Sequence, residues 1–298
     1  MSLSLSDPCP IRVKRQNKAF PKLAVPITMP RMAFPGVSSS GLPPTPRVTR
    51  ERFDAVLFDL DGVLTSTAAI HAAAWKRLFD GYLDDLAHTG TGATMEPETF
   101  REFTIESDYK QYVDGKPRYE GVRSFLESRG INLPYGTPAD PAGDVTVSAL
   151  GNRKQIMVQR AIDNGEVESF EGSVRWVQQL KEQGFRLGVV SSSRNCEAVL
   201  GAAKIEHLFE VRVDGLTLAE LNLPGKPAPD GFLRAAELLG VSPARTVVVE
   251  DAISGVEAGR AGHFGLVLGV DREGHAADLL RHGAHAVVTD LEEMIDAE

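Results

Sequence analysis

Along the chain, short apolar runs alternate with stretches in which apolar residues recur every three or four positions. Runs of strand type lie at 55–58 (AVLF), 185–190 (FRLGVV), 246–249 (TVVV), 265–268 (GLVL) and 286–288. Helical spacing fills 172–183, 195–203, 230–239, 254–261, 275–282 and 291–297. Strand, helix, strand in sequence predicts right-handed crossovers and a parallel sheet. Near-continuous Val/Leu runs suit strands covered on both faces. The expected fold class is α/β, with a Rossmann-like parallel-sheet core.

The first crossover breaks the rhythm, because well over 100 residues separate the first two strand-like runs. Most of them carry helical spacing, at 68–79, 98–113, 119–129 and 152–164, with a Pro/Gly-rich loop at 132–144. A crossover of that length predicts an inserted domain. The expected organisation is a helical cap at 68–167 between core segments 51–67 and 168–298. The insertion starts just behind the acids that end the first strand, where a lid would exclude water from a site.

Charge and cysteine content narrow the setting. The 298 residues carry a net charge of −9, which argues against nucleic acid or an anionic membrane surface as partner. No run approaches the ~18 apolar residues of a membrane span. Two cysteines, Cys9 and Cys196, do not make a disulfide framework, so a cytoplasmic setting is expected. A monomer is expected. Residues 1–50 differ from the rest: they carry +7 against −16 for 51–298, are rich in proline, and show no sustained period. They are expected to be a disordered leader. A targeting segment fits that composition, as does translation from Met29 or Met32.

Chemistry-bearing residues cluster behind the strand-like runs. Asp59 and Asp61 follow AVLF at i and i+2, with Gly62 behind them. Two like charges so close need a cation, a proton or a nucleophilic role. Ser191, Ser192, Ser193, Arg194 and Asn195 follow FRLGVV, and hydroxyls with backbone N–H groups at a helix start cradle anions. Lys226 stands in GKPAPD, where a fixed lysine can neutralise a phosphate. Glu250 and Asp251 follow TVVV and suit a hard cation. Together these are the parts of phosphoryl transfer: a carboxylate nucleophile, charge compensation and positioned donors.

The order DLDGVLTST, then SSSRN, then GKPAPD, then ED resembles the haloacid dehalogenase-like superfamily in the form with a helical cap, over roughly residues 52–298. Within it the chain is most similar to the β-phosphoglucomutase family. The resemblance implies that Asp59 becomes an aspartyl phosphate and that Asp61 is the general acid/base. It puts Ser191 and Ser192 on the transferring phosphoryl group with Lys226 beside it, and gives magnesium to Asp59, the Asp61 carbonyl, Glu250 and Asp251. Thr67, His71 and Trp75 match that family's positions after the Asp pair; the resemblance implies that Thr67 and His71 orient the acid/base and couple it to cap closure, and that Trp75 lies on the substrate side. Arg194 and Asn195 would hold the second phosphate, with Ser193 in the same loop. Arg118, in Gly115-Lys116-Pro117-Arg118, would hold the substrate phosphate, and Lys154 the sugar. The family has Lys where this chain has Asp114, so Lys116 is a candidate replacement, and Gln155 stands where the family has Asn.

The implied activity is interconversion of β-D-glucose 1-phosphate and glucose 6-phosphate, with Mg²⁺ as cofactor and glucose 1,6-bisphosphate as primer and intermediate. A sugar-phosphate phosphatase of the same superfamily is the alternative, since it needs the same acids and metal. A non-catalytic binding protein is disfavoured because every reactive residue is present.

Overall fold

The computed structural model describes residues 46–89 and 92–295. The leader assigned to 1–50 therefore lies mostly outside the described residues. Its last five residues do not behave as a leader. Val48 is buried in the core, and the Arg50 guanidinium lies over the Phe185 ring and donates to the Asp54 carbonyl at 2.7 Å. The folded body thus begins before residue 51.

The chain runs through β1 (Ala55–Phe58), α1 (Thr67–Ala87), a wide helical segment (Ile105–Val113), α2 (Arg118–Ser128), α3 (Val147–Asp163), α4 (Glu171–Glu182), β2 (Arg186–Val190), α5 (Cys196–Ala202), β3 (Val211–Val213), α6 (Gly215–Glu220), α7 (Asp230–Leu239), β4 (Thr246–Glu250), α8 (Ile253–Ala261), β5 (Leu266–Val270), α9 (Ala276–His282) and β6 (Ala286–Val288). The six strands form one parallel sheet in the order β3-β2-β1-β4-β5-β6. Side chains of β1 alternate between its two faces. Val56 and Phe58 enter the layer that holds Trp176, and Ala55 and Leu57 enter the layer that holds Phe232. Helices cover both faces, which explains the unbroken apolar runs of the central strands.

β1 lies at the middle of the sheet. From it the chain turns one way to β2 and β3, and later the other way to β4, β5 and β6. The carboxyl ends of strands on either side of such a reversal bound a crevice. Asp59 follows β1, Ser191 follows β2 and Glu250 ends β4, so the sequence clusters meet there because of the strand order.

Two adjacent segments carry the chain into and out of the cap. Thr65 bridges Ser169, Ser66 N–H donates to Glu168 O at 2.9 Å and Phe170 N–H donates to Leu64 O at 3.0 Å. The cap has its own aromatic core of Trp75, Phe79, Phe103 and Phe125, with Trp75 stacked on Phe79 at 5.2 Å between centroids.

Several elements depart from the periodicity. The helix expected over 98–113 is broken, because the Asp80 carboxylate takes the Phe103 N–H at 2.8 Å and pins an extended residue there. Beyond that break the chain is wound with i→i+5 bonds, Tyr109 N–H to Thr104 O at 3.0 Å and Asp114 N–H to Tyr109 O at 2.9 Å. Helix α1 continues eight residues past the expected end at 79, α3 starts at Val147 under a Thr146 cap, and 291–297 gives only a single turn at Leu291–Met294, with residues 296–298 outside the described ones. Strand β3 and helix α6 have no counterpart among the expected elements.

A buried ion pair anchors the wide segment. Asp108 meets Arg129 at 3.0 Å, with both side chains under a tenth exposed, and Arg129 also donates to the carbonyls of Glu98 and Arg101. Asp108→Ala leaves that guanidinium buried without its partner. It should destabilise the protein by about 3–5 kcal/mol, measured by urea unfolding. A loss below ~1 kcal/mol, the range of an exposed pair, would show that the pair anchors nothing.

Candidate active site

Asp59 leaves the central strand with its N–H on the Val249 carbonyl at 2.9 Å. Its Oδ1 accepts from Lys226 Nζ. The same ammonium donates to Glu250 Oε1 at 2.5 Å and to the Val190 carbonyl at 3.2 Å. Three strands therefore meet at one nitrogen. Burial works against the Lys226 charge, but Asp59 and Glu250 overcome it and hold the lysine above its ordinary value. Burial pushes Asp59 upward, with Lys226 opposing and Asp61 adding repulsion.

Asp61 is held differently. Thr67 Oγ1 donates to its Oδ1, and Ser191 Oγ lies 3.4 Å from its Oδ2. Thr67 is tied in turn to Thr65 at 2.7 Å. His71 Nε2 lies 3.8 Å from Asp61 Oδ1 and has no hydrogen-bond partner. Burial, with Lys154 and Arg118 nearby, drops His71 well below its usual range, so it is neutral. Lys154 Nζ reaches His71 Nδ1 at 3.0 Å, which leaves the imidazole proton on Nε2, facing Asp61. Burial lowers Lys154 itself to about 7.

Glycine makes the close approaches possible. At Gly62, φ is +91°, and a Cβ there would fall 1.8 Å from Asp251 Oδ2. A Cβ at Gly255 would fall 1.6 Å from Glu250 Oε1. The small-residue start of α8 therefore has a steric cause: the helix packs directly on the buried Glu250 carboxylate.

Glu250, expected as a metal ligand, is fully buried, with Oε1 accepting from Lys226 and Oε2 from the Ala252 N–H at 2.9 Å. In this arrangement it holds the lysine. Ser191 is buried, its Oγ accepting the Ser193 N–H at 3.0 Å beside Asp61.

The cavity under the cap encloses about 60 Å³. Asp59, Asp61, His71 and Asp251 line it together with Lys116, Arg118, Lys154 and Arg194. Ser192, Ser193 and Asn195 complete the core side of the wall, while Ser193 Oγ also accepts the Asn195 N–H at 3.1 Å. Arg118 Nη1 donates to Gln155 Oε1 at 3.0 Å, and the Gln155 amide pairs with that of Asn195. Trp75 is almost entirely buried in cap packing and offers its ring to the Lys154 ammonium at 4.9 Å. Lys116 donates to Gln111 O at 3.3 Å and to Ser124 Oγ at 3.1 Å, so its ammonium is tied to the cap. The cap closes on core hydroxyls: Ser192 Oγ donates to the Gly115 carbonyl at 2.6 Å, and Ser254 Oγ to the Asp114 carbonyl at 2.9 Å.

Sequence reasoning missed Tyr109 and gave Asp114 no role. Both line the cavity, and the Tyr109 hydroxyl bonds the Asp114 carboxylate. Asp114 is pushed up to about 7 by burial and by Glu250. The wide winding of the 105–113 segment turns these residues inward, and apolar spacing carries no signal of it.

The donor chemistry fits a hard dication. Asp251 is driven well above the carboxylate range by burial and by the charges of Asp114, Glu250 and Asp59, with Lys226 opposing. Among the described residues, no three His, Cys, Asp or Glu side chains form a ready-made metal cage. Magnesium does not need one, since it binds through one or two carboxylates and keeps water or substrate oxygens.

Known proteins resemble this chain over most of its length. A family profile described as haloacid dehalogenase-like hydrolase matches residues 53–263. The β-phosphoglucomutase of Mycobacterium tuberculosis is 50% identical over 248 residues, which cover 82% of this chain and 92% of that protein. That of Bacillus subtilis is 33% identical over 228 residues, covering 76% and 88%. The solved β-phosphoglucomutase of Clostridium difficile superposes with a TM-score of 0.63 at 22% identity, covering 82% of this chain and 93% of that one, and shares the fold. The chain belongs to the haloacid dehalogenase-like hydrolase family, in its β-phosphoglucomutase group.

Proposed function

We propose that this protein interconverts β-D-glucose 1-phosphate and glucose 6-phosphate, by way of an aspartyl phosphate and glucose 1,6-bisphosphate. One observation carries the reading beyond family membership. The enclosed cavity that holds the Asp59–Asp61 pair also presents Lys116, Arg118, Lys154 and Arg194. A hydrolase needs to grip one phosphate. An enzyme that turns a bisphosphate end over end needs to grip two.

In this reading the Asp59 carboxylate attacks phosphorus, and the phosphoryl group moves onto its oxygen. Lys226 offsets charge on the transferred oxygens, and the N–H groups of the 191–195 loop position them. When phospho-Asp59 gives its group to the sugar 6-hydroxyl, Asp61 accepts the hydroxyl proton. After the bisphosphate turns over, the 1-phosphoryl passes to Asp59 and Asp61 returns the proton to the departing O1. Thr67 holds Asp61 for both transfers, and neutral His71 stands beside it. Arg118, with Arg194 and Asn195, holds the phosphate that is not reacting, and Lys154 reaches the sugar. Asp59, Asp251 and the Asp61 carbonyl would hold Mg²⁺, which when bound neutralises charge on the phosphoryl oxygens.

Phosphorus NMR tests the reading directly. With β-glucose 1-phosphate, Mg²⁺ and a trace of glucose 1,6-bisphosphate, glucose 6-phosphate should accumulate. Release of inorganic phosphate alone would replace the mutase by a phosphatase. Asp59→Asn should abolish turnover and phosphoenzyme, because an amide is a far poorer nucleophile; substantial residual rate would remove Asp59 from the chemistry.

Arg118→Ala separates the two activities. Mutase turnover should fall by several kcal/mol of transition-state stabilisation, the cost of truncating a buried charge partner, whereas hydrolysis of a small acyl phosphate should fall far less. Equal losses in both would make Arg118 a structural residue.

A further inference from the structure

The loop after β5, residues 271–275, carries none of the four motifs, yet it reaches both acid-bearing turns. Asp271 fixes it: Oδ1 accepts the N–H groups of Glu273, Gly274 and His275 at 3.1, 2.7 and 2.9 Å, and Oδ2 accepts that of Ala276 at 2.8 Å. From this rigid turn two side chains extend in opposite senses. Arg272 Nε donates to the Gly62 carbonyl at 3.2 Å, in the turn just behind Asp61. The Arg272 guanidinium lies 3.7 Å over the Phe170 ring, and it also binds Asp290 and Ser173 Oγ. His275 Nε2 lies 3.1 Å from the backbone carbonyl of Asp251. A carbonyl only accepts, so Nε2 carries the proton. His275 Nδ1 is 3.1 Å from Asp271 Oδ1 but misaligned, so the bond to Asp251 is the one aligned hydrogen bond of the ring.

We propose that the 271–275 loop is an outer brace of the metal site, in which His275 is a positioning residue that fixes Asp251 through its carbonyl while Arg272 fixes the opposing turn at Gly62. The inference rests on the metal reading above. Asp251 Oδ2 occupies the space a Cβ on Gly62 would need, so the two acid-bearing turns are in direct contact and their spacing depends on what holds each of them. The brace ties both to one loop, so the carboxylates keep their spacing before a cation arrives. That preorganisation belongs to metal affinity, because a free pair of turns would have to be drawn together at the moment of binding.

The test uses the full chain and calorimetric titration with Mg²⁺, alongside thermal unfolding. His275→Ala should weaken Mg²⁺ binding ~10–100-fold, the range for loss of an outer-shell partner, and should raise the Mg²⁺ concentration for half-maximal rate by the same factor. His275→Gln, whose amide can donate to the same carbonyl, should recover most of the affinity. If the alanine variant fails to fold, His275→Leu, which keeps volume without a donor, carries the same expectation. Wild-type affinity in the alanine or leucine variant would overturn the brace and leave the metal reading standing. A glutamine variant as weak as alanine would make His275 a packing residue and overturn the positioning role. No Mg²⁺ binding by the wild type would overturn the metal reading and the brace with it.

Discussion

The Lys226 ammonium is the contact on which the rest of the site depends. It is one positive charge shared by Asp59 and Glu250, at the point where the ends of β1, β2 and β4 converge. Without it, two carboxylates would be buried side by side, and each would take a proton rather than stay charged. With it, Asp59 can remain an anion in a dry place, as the proposed nucleophile must. Glu250 answers the lysine from the far side, and Gly255 makes room for Glu250. A small-residue helix start, a buried acid, a lysine and Asp59 thus form one chain of dependence across about 200 residues of sequence.

That arrangement separates two kinds of work. The core fixes charge: Lys226 against Asp59, Thr67 and Ser191 against Asp61, Ala252 against Glu250. The cap supplies movable cations and its own packed aromatic centre, joined to the core by a narrow pair of segments at Thr65 and Ser169. His71 and Lys154 form the line between the two, because α1 leads from the acid/base into the cap and α3 brings the lysine back.

Much of this was legible in the sequence, and for a physical reason. A buried parallel strand tolerates polar residues only at its end, so Asp59, Ser191 and Glu250 stand out by following apolar runs. The core helices behave similarly, with α7 found at 230–239 as its spacing requires. What stayed hidden depends on partners distant in sequence. That Glu250 also holds Lys226 and accepts the Ala252 N–H shows only in the fold. β3 is three residues long, too short for an alternation to register, and Arg212 within it is pulled to Glu197 and Asp214. The wide winding before Asp114 shares its apolar spacing with an ordinary helix. Val48 is one apolar residue in a proline-rich stretch, and only the pocket it fills marks it as core.

Beside the apolar contact of Ala74, Val158 and Ile162 with the core, the cap is fastened to it by hydroxyls reaching carbonyls, Ser192 to Gly115 and Ser254 to Asp114. Water can replace each of these hydrogen bonds when the halves part, so each contributes only about 0.5–1.5 kcal/mol net. The cavity they close over is lined by cations from both halves, Arg118 and Lys154 from the cap and Arg194 from the core. A doubly anionic ligand that grips cations of the cap and of the core adds its own attraction to these fastenings, so the ligand becomes part of what holds the two halves together.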